Sequence, residues 1–309
     1  MADEQVPSPK VAVGVDGSAT ARSALEWAAT EAARRGVPLY AVHALSMPMV
    51  MSVYAGPTRF PAPEEVAEQG RRILHEAAEH ARSIRPGLEV QTVLALEEPH
   101  IALLRRTGPE DLVVVGTRGL GPVRSALAGS AGVRLASRAT CPVAVVPAPE
   151  GETPPLRDSQ RIVVGVDGSD DSRRALGFAL HEAVRNGAES VVVVNSWEVP
   201  MPFAAESLAA AGWTPPDDLL DRRSEELVSG VLAEVMDEST EKLDITVVRT
   251  ESNPVDALVE AGAEADLIVV GSRGRGSVRG LILGSVSQGV LHSATVPVVV
   301  LPKGADATE

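Results

Sequence analysis

Residues 164–169 read Val-Gly-Val-Asp-Gly-Ser, and the same six letters stand at 13–18. Further along, Asp111-Leu-Val-Val-Val-Gly-Thr-Arg-Gly119 returns as Asp266-Leu-Ile-Val-Val-Gly-Ser-Arg-Gly274, and Cys141-Pro-Val-Ala-Val-Val-Pro147 returns as Val296-Pro-Val-Val-Val-Leu-Pro302. Self-similarity of this length, present in only two copies, indicates a duplicated domain and not a solenoid. The Pro-rich acidic stretch from Glu150 to Ser159 carries the linker signal. We therefore place one domain at 1–150, a linker at 151–159 and a second domain at 160–309. A chain of 309 residues is long enough for two such cores.

Each copy alternates short apolar runs with stretches of helical periodicity. In the first, strands are expected at Val11–Asp16, Leu39–Ala44, Glu89–Leu94, Leu112–Val115 and Val143–Val146. Between them lie a helix with Ala21, Leu25, Ala28, Ala29 and Ala32 on one face, an irregular stretch from Ser46 to Pro63, and a helix carrying Val66, Ile73, Ala77, Ala81 and Ile84. A short helix at Ile101–Arg106 and another through Ser130–Ser137 complete the copy. Matching strands are expected near Ile162–Asp167, Val191–Asn195, Ile245–Arg249, Leu267–Val270 and Val298–Leu301. Strands that alternate with helices, and read as near-continuous Val/Ile/Leu runs, form mostly parallel sheets covered on both faces. The fold class is α/β: two doubly wound, five-stranded domains in tandem.

Composition removes several functions. A formal charge of −14 disfavours a nucleic-acid partner, which needs a basic face. No apolar run approaches the roughly 18 residues of a membrane span, and Met1 to Pro9 lacks the apolar core of a signal peptide. The expected compartment is the cytoplasm. The single cysteine, Cys141, leaves no intramolecular disulfide and reads as a small buried hydrophobe.

In a doubly wound sheet, ligands bind beyond the carboxyl ends of the strands, where strand order switches. Two segments per copy arrive there. One is the loop after the fourth strand: Gly116-x-x-Gly119, nine residues, then Gly129-Ser130; and Gly271-x-x-Gly274, nine residues, then Gly284-Ser285. Glycines let backbone approach a phosphate, and the following helix offers free amides and a positive dipole end. Ser130 and Ser285 add a hydroxyl or cap the helix, and Arg118, Arg124, Arg273 and Arg279 can balance phosphate charge. The other segment is Asp16-Gly17-Ser18 and Asp167-Gly168-Ser169, whose carboxylate can accept ribose hydroxyls or hold magnesium through water. Competing readings are that the glycines serve loop-on-helix packing and that Asp-Gly-Ser is turn and cap chemistry. The loop is no Walker P-loop and no Rossmann fingerprint, since no Gly-Lys-Ser/Thr follows it and it lies after the fourth strand.

The Val-Gly-Val-Asp-Gly-Ser opening, the Gly-x2-Gly-x9-Gly-Ser loop and the closing Cys-Pro-Val or Val-Pro-Val strand together resemble the ATP-binding branch of the universal stress protein family, twice along the chain. The resemblance implies adenine or ribose contacts from Asp16 and the backbone of Ala44, and phosphate contacts from Gly116, Gly119, Gly129 and Ser130, flanked by Val115 and Ala131. In the second copy it implies Asp167, Ser196, Val270, Gly271, Gly274, Gly284, Ser285 and Val286. It further implies ATP, with magnesium as a companion, a role in stress response or growth arrest, and a homodimer or internal pseudo-dimer paired through the last strands. The second copy keeps the family loop closely, whereas Pro122 and Ala126-Leu127-Ala128 depart from it in the first.

Other residues invite chemistry and are read more simply. His43, opposite Asn195 of the second copy, is expected to be a hydrogen-bonded structural residue. Met47, Met49 and Met51 lack the Cys or His neighbours of a soft-metal site, and together with Trp197 and Trp213 suit a pocket cover. The acidic run up to Asp221 reads as a solvated helix start. No Ser/His/Asp set or paired acid and base stands out, which favours a nucleotide-dependent regulator over an enzyme. A slow ATPase and a scaffold with empty sites are the alternatives.

Overall fold

The computed structural model describes residues 9–46, 49–52, 56–59, 63–117, 130–148, 160–197, 219–275 and 283–303. The first half runs β1 (Val11–Gly14), α1 (Ala19–Arg35), β2 (Leu39–Ala44), β3 (Met49–Ser52), β4 (Gly56–Arg59), α2 (Glu64–Ile84), β5 (Val90–Ala95), α3 (Pro99–Leu104), β6 (Leu112–Gly116), α4 (Ser130–Arg138) and β7 (Val143–Val146). The second runs β8 (Arg161–Gly165), α5 (Asp170–Asn186), β9 (Ser190–Trp197), α6 (Leu219–Val235), β10 (Ile245–Glu251), α7 (Pro254–Gly262), β11 (Leu267–Gly271), α8 (Ser285–Ser293) and β12 (Val298–Leu301). Each half follows the 3-2-1-4-5 order of a doubly wound sheet, with parallel neighbours throughout.

The two sheets are one. β7 pairs antiparallel with β12 (Val143 with Val300, Ala144 with Val299, Val145 with Val298), giving the ten-stranded order β10-β9-β8-β11-β12-β7-β6-β1-β2-β5. The expected pairing through the last strands is thus made inside the chain, and it leaves β5 and β10 as the sheet's outer strands. Because that junction is antiparallel, the carboxyl ends of the two halves point in opposite directions.

Alternation along each strand divides the core by face and not by half. Val11, Val13, Leu112, Val114, Ile162 and Val164 join the layer beneath α1, α2, α5 and α6. Ala12, Val113, Val115 and Val163 join the layer beneath α3, α4, α7 and α8. Both faces are apolar because both are covered, which is why these strands read as unbroken Val/Ile/Leu runs. Each layer contains residues of both repeats.

The Asp-Gly-Ser motif initiates α1 and α5 in the same way. Asp16 and Asp167 accept the amide of the Ser two residues on, at 2.9 Å each, while Gly17 and Gly168 take φ of +81° and +77°, where a side chain is strained. Ser18 and Ser169 then cap the helices, accepting from Ala21 and Ser172 at 3.2 Å. Both helices end on a left-handed glycine, Gly36 and Gly187. One expectation is revised: the stretch from Ser46 to Pro63 is not wholly irregular, since β3 and β4 pair antiparallel. Among the described residues no helix is long and apolar enough to cross a membrane.

Candidate functional site

At the carboxyl edge of the second half, between β8 and β11, lies a cavity of about 400 Å³. Its apolar wall is Val166, Val194, Pro254, Leu258, Val270, Leu283 and Val286. Its polar rim comes from Asp167, Ser196, Arg273, Arg275 and the stretch Gly284–Ser287. The expected residues Asp167, Ser196, Val270, Gly271, Gly274, Gly284, Ser285 and Val286 all border it. Gly168 stands beside it, with the Arg275 guanidinium lying against its Cα.

Anion-binding capacity sits at the start of α8. Gly284 is the N-cap and carries no capping side chain, and the first intrahelical bond is Gln288 N–H to the Gly284 carbonyl at 3.0 Å. The amides of Ser285, Val286 and Ser287 therefore have no intrahelical acceptor, and all three residues line the cavity. Ser285 is the first residue of the helix and not its cap; Ser287 instead donates its hydroxyl to the carbonyls of Gly284 and Ser272 at 3.0 and 3.1 Å.

Asp167 faces this amide cluster. Its Oδ1 accepts from the Ser169 amide and hydroxyl at 2.9 and 2.6 Å, and its Oδ2 accepts from the Arg275 amide at 2.9 Å. Burial favours the neutral acid, but these hydrogen bonds outweigh it and hold the carboxyl below the usual range. The Ser172 side chain adds a further hydrogen bond to the same carboxyl.

The glycines answer to the protein before any ligand. A Cβ on Gly271 would lie 2.7–2.8 Å from the backbone and Cβ of Asp171 in the first turn of α5, and one on Gly116 would lie 2.7 Å from the Thr20 carbonyl oxygen. A Cβ on Gly274 would sit 2.4 Å from Asp167 Oδ2. Strand end and helix backbone meet too closely for a side chain at Gly271 and Gly116, so packing is reason enough for these two, whereas Gly274 leaves room for the Asp167 carboxylate tip.

Sequence reasoning missed Asp171. Its buried carboxylate accepts from Ser272 Oγ at 2.8 Å and the Arg273 amide at 3.1 Å, and pairs with Arg174. An acid in a helix's first turn looks like ordinary dipole compensation, and nothing in the spacing ties it to the loop.

In the first half, Asp16, Gly17, Ala44, Val115 and Gly116 occupy the corresponding edge. Gly119 and Gly129 lie outside the described residues, as do Arg118 and Arg124, while Ser130 and Ala131 open α4. His43 is buried, with Nδ1 2.7 Å from the Val15 carbonyl oxygen, as expected of a structural histidine. Asn195 makes the same contact in the second half, donating to Val166 at 2.6 Å. Cys141 is fully buried. Met49 and Met51 lie on β3, Trp197 ends β9, and Asp221 on α6 pairs with Arg249 at 2.7 Å; Met47, Trp213 and Arg279 fall outside the described residues. Among the described residues no group of three or more His, Cys, Asp or Glu is placed to hold a metal.

A doubly wound sheet with a crevice at the switch point, walled by apolar side chains and headed by the first turn of a helix, defines an α/β protein whose crevice stands where open sheets of this kind place their ligands. Within that class the chain belongs to the universal stress protein family, whose model matches residues 8–147 and again 159–302. A universal stress protein of Mycobacterium tuberculosis is 33% identical over 297 residues, covering 94% of this chain and 96% of its own. The crystal structure of a universal stress protein from Archaeoglobus fulgidus aligns over 94% of this chain and 95% of its own, with a TM-score of 0.63 at 20% identity. A second structure from that organism, in complex with dAMP, covers 47% of this chain and 98% of its own at 28% identity, with a TM-score of 0.32.

Proposed function

We propose that this chain is an ATP-binding regulator, acting in stress response or growth arrest, whose halves hold nucleotide at the carboxyl edges of their sheets. The observation that carries the reading is the set of amides at Ser285, Val286 and Ser287 that lack an intrahelical acceptor, in residues that line a cavity together with ionised Asp167. In this reading the triphosphate lies on those amides and on Gly274, with Arg273 and Arg275 at the rim. The ribose donates to Asp167, and the base packs by the β9 end at Val194 and Ser196 against Val166 and Leu258. Asp16, Gly17, Ala44, Val115, Gly116, Gly119, Gly129, Ser130 and Ala131 would serve the first half in the same register.

Magnesium would arrive on the phosphates, since no carboxylate cluster among the described residues offers it a cage. Among the described residues that line the second site there is no histidine to activate water, and binding without rapid turnover is the expected behaviour. Occupancy then acts by favouring whichever conformation or assembly binds nucleotide better. The cytoplasm, where ATP is abundant, is the compartment this function requires.

Protein purified from cells, denatured and extracted, should release adenine nucleotide, and apo protein should take up labelled ATP. Asp167→Ala should weaken uptake in the second half about tenfold, the scale of a hydrogen bond to a charged group. Wild-type protein that neither releases nucleotide nor takes up ATP at millimolar concentration would overturn the reading and leave a scaffold. Steady phosphate release that is lost with Asp167→Ala would replace it with an ATPase.

A further inference from the structure

The loop after β11 is braced from below by a carboxylate that the glycine motif does not mark. Asp170 and Asp171 both lie in the first turn of α5, but they behave differently. Asp170 is exposed and Asp171 is buried, with its Oδ2 turned toward the neighbouring strand end, where it accepts from Ser272 Oγ at 2.8 Å and the Arg273 amide at 3.1 Å. Compensation of a helix dipole explains an acid in this turn; it does not explain that direction.

Ser272 passes the constraint onward. Its amide donates to Leu301 at 2.8 Å, and its carbonyl accepts from the Gly284 amide at 2.8 Å and from Ser287 Oγ at 3.1 Å. Gly284 is the N-cap of α8. A continuous run of hydrogen bonds therefore leads from the first turn of α5, through Ser272, to the helix end whose amides face the cavity. Arg174 pairs with the other oxygen of Asp171, so the brace adds no uncompensated negative charge beneath an anion site. The first half is built differently: Thr20 replaces Asp171 and bonds Ser18 Oγ at 3.0 Å, and Thr117 replaces Ser272.

We propose that Asp171 is the positioning residue of the second half's phosphate site, setting the first turn of α8 through Ser272 and so determining how tightly that half holds nucleotide. The proposal rests on the nucleotide reading of the cavity. A donor array held in place before the ligand arrives spends less binding free energy on ordering, which is the effect a brace provides.

The test is equilibrium dialysis with labelled ATP on full-length protein, fitted to two sites, with Asp16→Ala marking, by its own weakened affinity, which of them belongs to the first half. Asp171→Ala should weaken binding about tenfold, the scale of a hydrogen bond to a charged acceptor. Asp171→Asn, which keeps an oxygen acceptor, should recover most of that loss. Ser272→Ala should resemble Asp171→Ala, and the double variant should be no worse than either single one, because the two residues share one route. Equal affinity in Asp171→Ala overturns the proposal, as does full additivity with Ser272→Ala. If Asp171→Ala does not fold, Ser272→Ala decides alone, and unchanged affinity there overturns it. Failure of the parent protein to bind ATP is a separate result, which removes the nucleotide reading itself.

Discussion

Glu31 and Glu182 stand at equivalent positions of the two repeats and meet where α1 packs on α5, each almost fully buried and joined carboxyl to carboxyl by a hydrogen bond. Arg35 binds both, with Nε 2.7 Å from Glu31 and an Nη 2.5 Å from Glu182, while its guanidinium lies 5.7 Å from the Phe178 ring centre. Arg185 and Asn186 reach Glu182 at 2.9 and 3.0 Å, and Arg34 lends its charge to Glu31. Burial, and then the charge of Glu31, push Glu182 up to about 8. Glu31 is lowered, because the hydrogen bond from Glu182 and the charge of Arg35 outweigh its own burial.

The pair makes stability depend on pH. Between the ordinary value of 4.5 and about 8, folded Glu182 keeps a proton that the unfolded chain has released. Its contribution is full below 4.5 and is lost as pH climbs through 8, while that of Glu31 is lost in acid. The urea midpoint should fall between pH 6 and pH 9, and Glu182→Gln should flatten that slope. A wild-type midpoint independent of pH over this range would refute the shared proton.

Gly271→Ala should act on the fold before it acts on any ligand. Its Cβ would press on the α5 backbone, which cannot swing aside, at 2.7–2.8 Å. A loss of about 1–3 kcal/mol in urea unfolding is expected, the usual cost of overpacking. Gly116→Ala should match it against Thr20. An unchanged midpoint in both would show that these junctions have slack.

His43 and Asn195 solve one problem with different partners. In the first half the imidazole fits because α2 offers Gly70, where a Cβ would stand 3.0 Å from the His43 ring and 2.7 Å from Leu94. In the second half the smaller Asn195 leaves room for Ser224, whose hydroxyl donates to Asn195 Oδ1 at 2.6 Å. Gly70→Ser should cost about 1–3 kcal/mol alone. Adding His43→Asn should recover most of it, which a double-mutant cycle by urea denaturation will read as coupling.

Cys141 should be inert in the native protein. Burial pushes its thiol up to about 12, so almost no thiolate exists at neutral pH. Iodoacetamide at pH 8 should label it only as the chain unfolds, and labelling faster than global unfolding would count against this packing.

The sheet was the most legible part, and the reason is physical. Strands buried on both faces carry no polar alternation, so Leu39–Ala44, Val143–Val146 and Val298–Leu301 stand out with their boundaries intact. The β3–β4 pair did not, because Pro57 lies inside β4 and Met, Ser and Gly give no period of two. The glycines at the cavity stood out by their repeated spacing, and packing was one of the readings open for them, but which neighbour each one meets was not legible. Gly271 and Gly116 reflect how near α5 and α1 pass, a distance no single sequence displays. Asp171 was hidden for a similar reason: its partner Ser272 is 101 residues away.

The antiparallel seam at β7 and β12 sends the carboxyl edges of the two halves to opposite margins of one sheet. Four strand spacings separate the β8–β11 crevice from the equivalent β1–β6 junction, roughly 19 Å across the sheet, with the strand length added along it. If nucleotide is held as proposed, a macromolecule docked at one margin of the sheet would meet the ligand of one half only. On the proposed reading, the duplicated chain would then offer its two ligands to two separate partners.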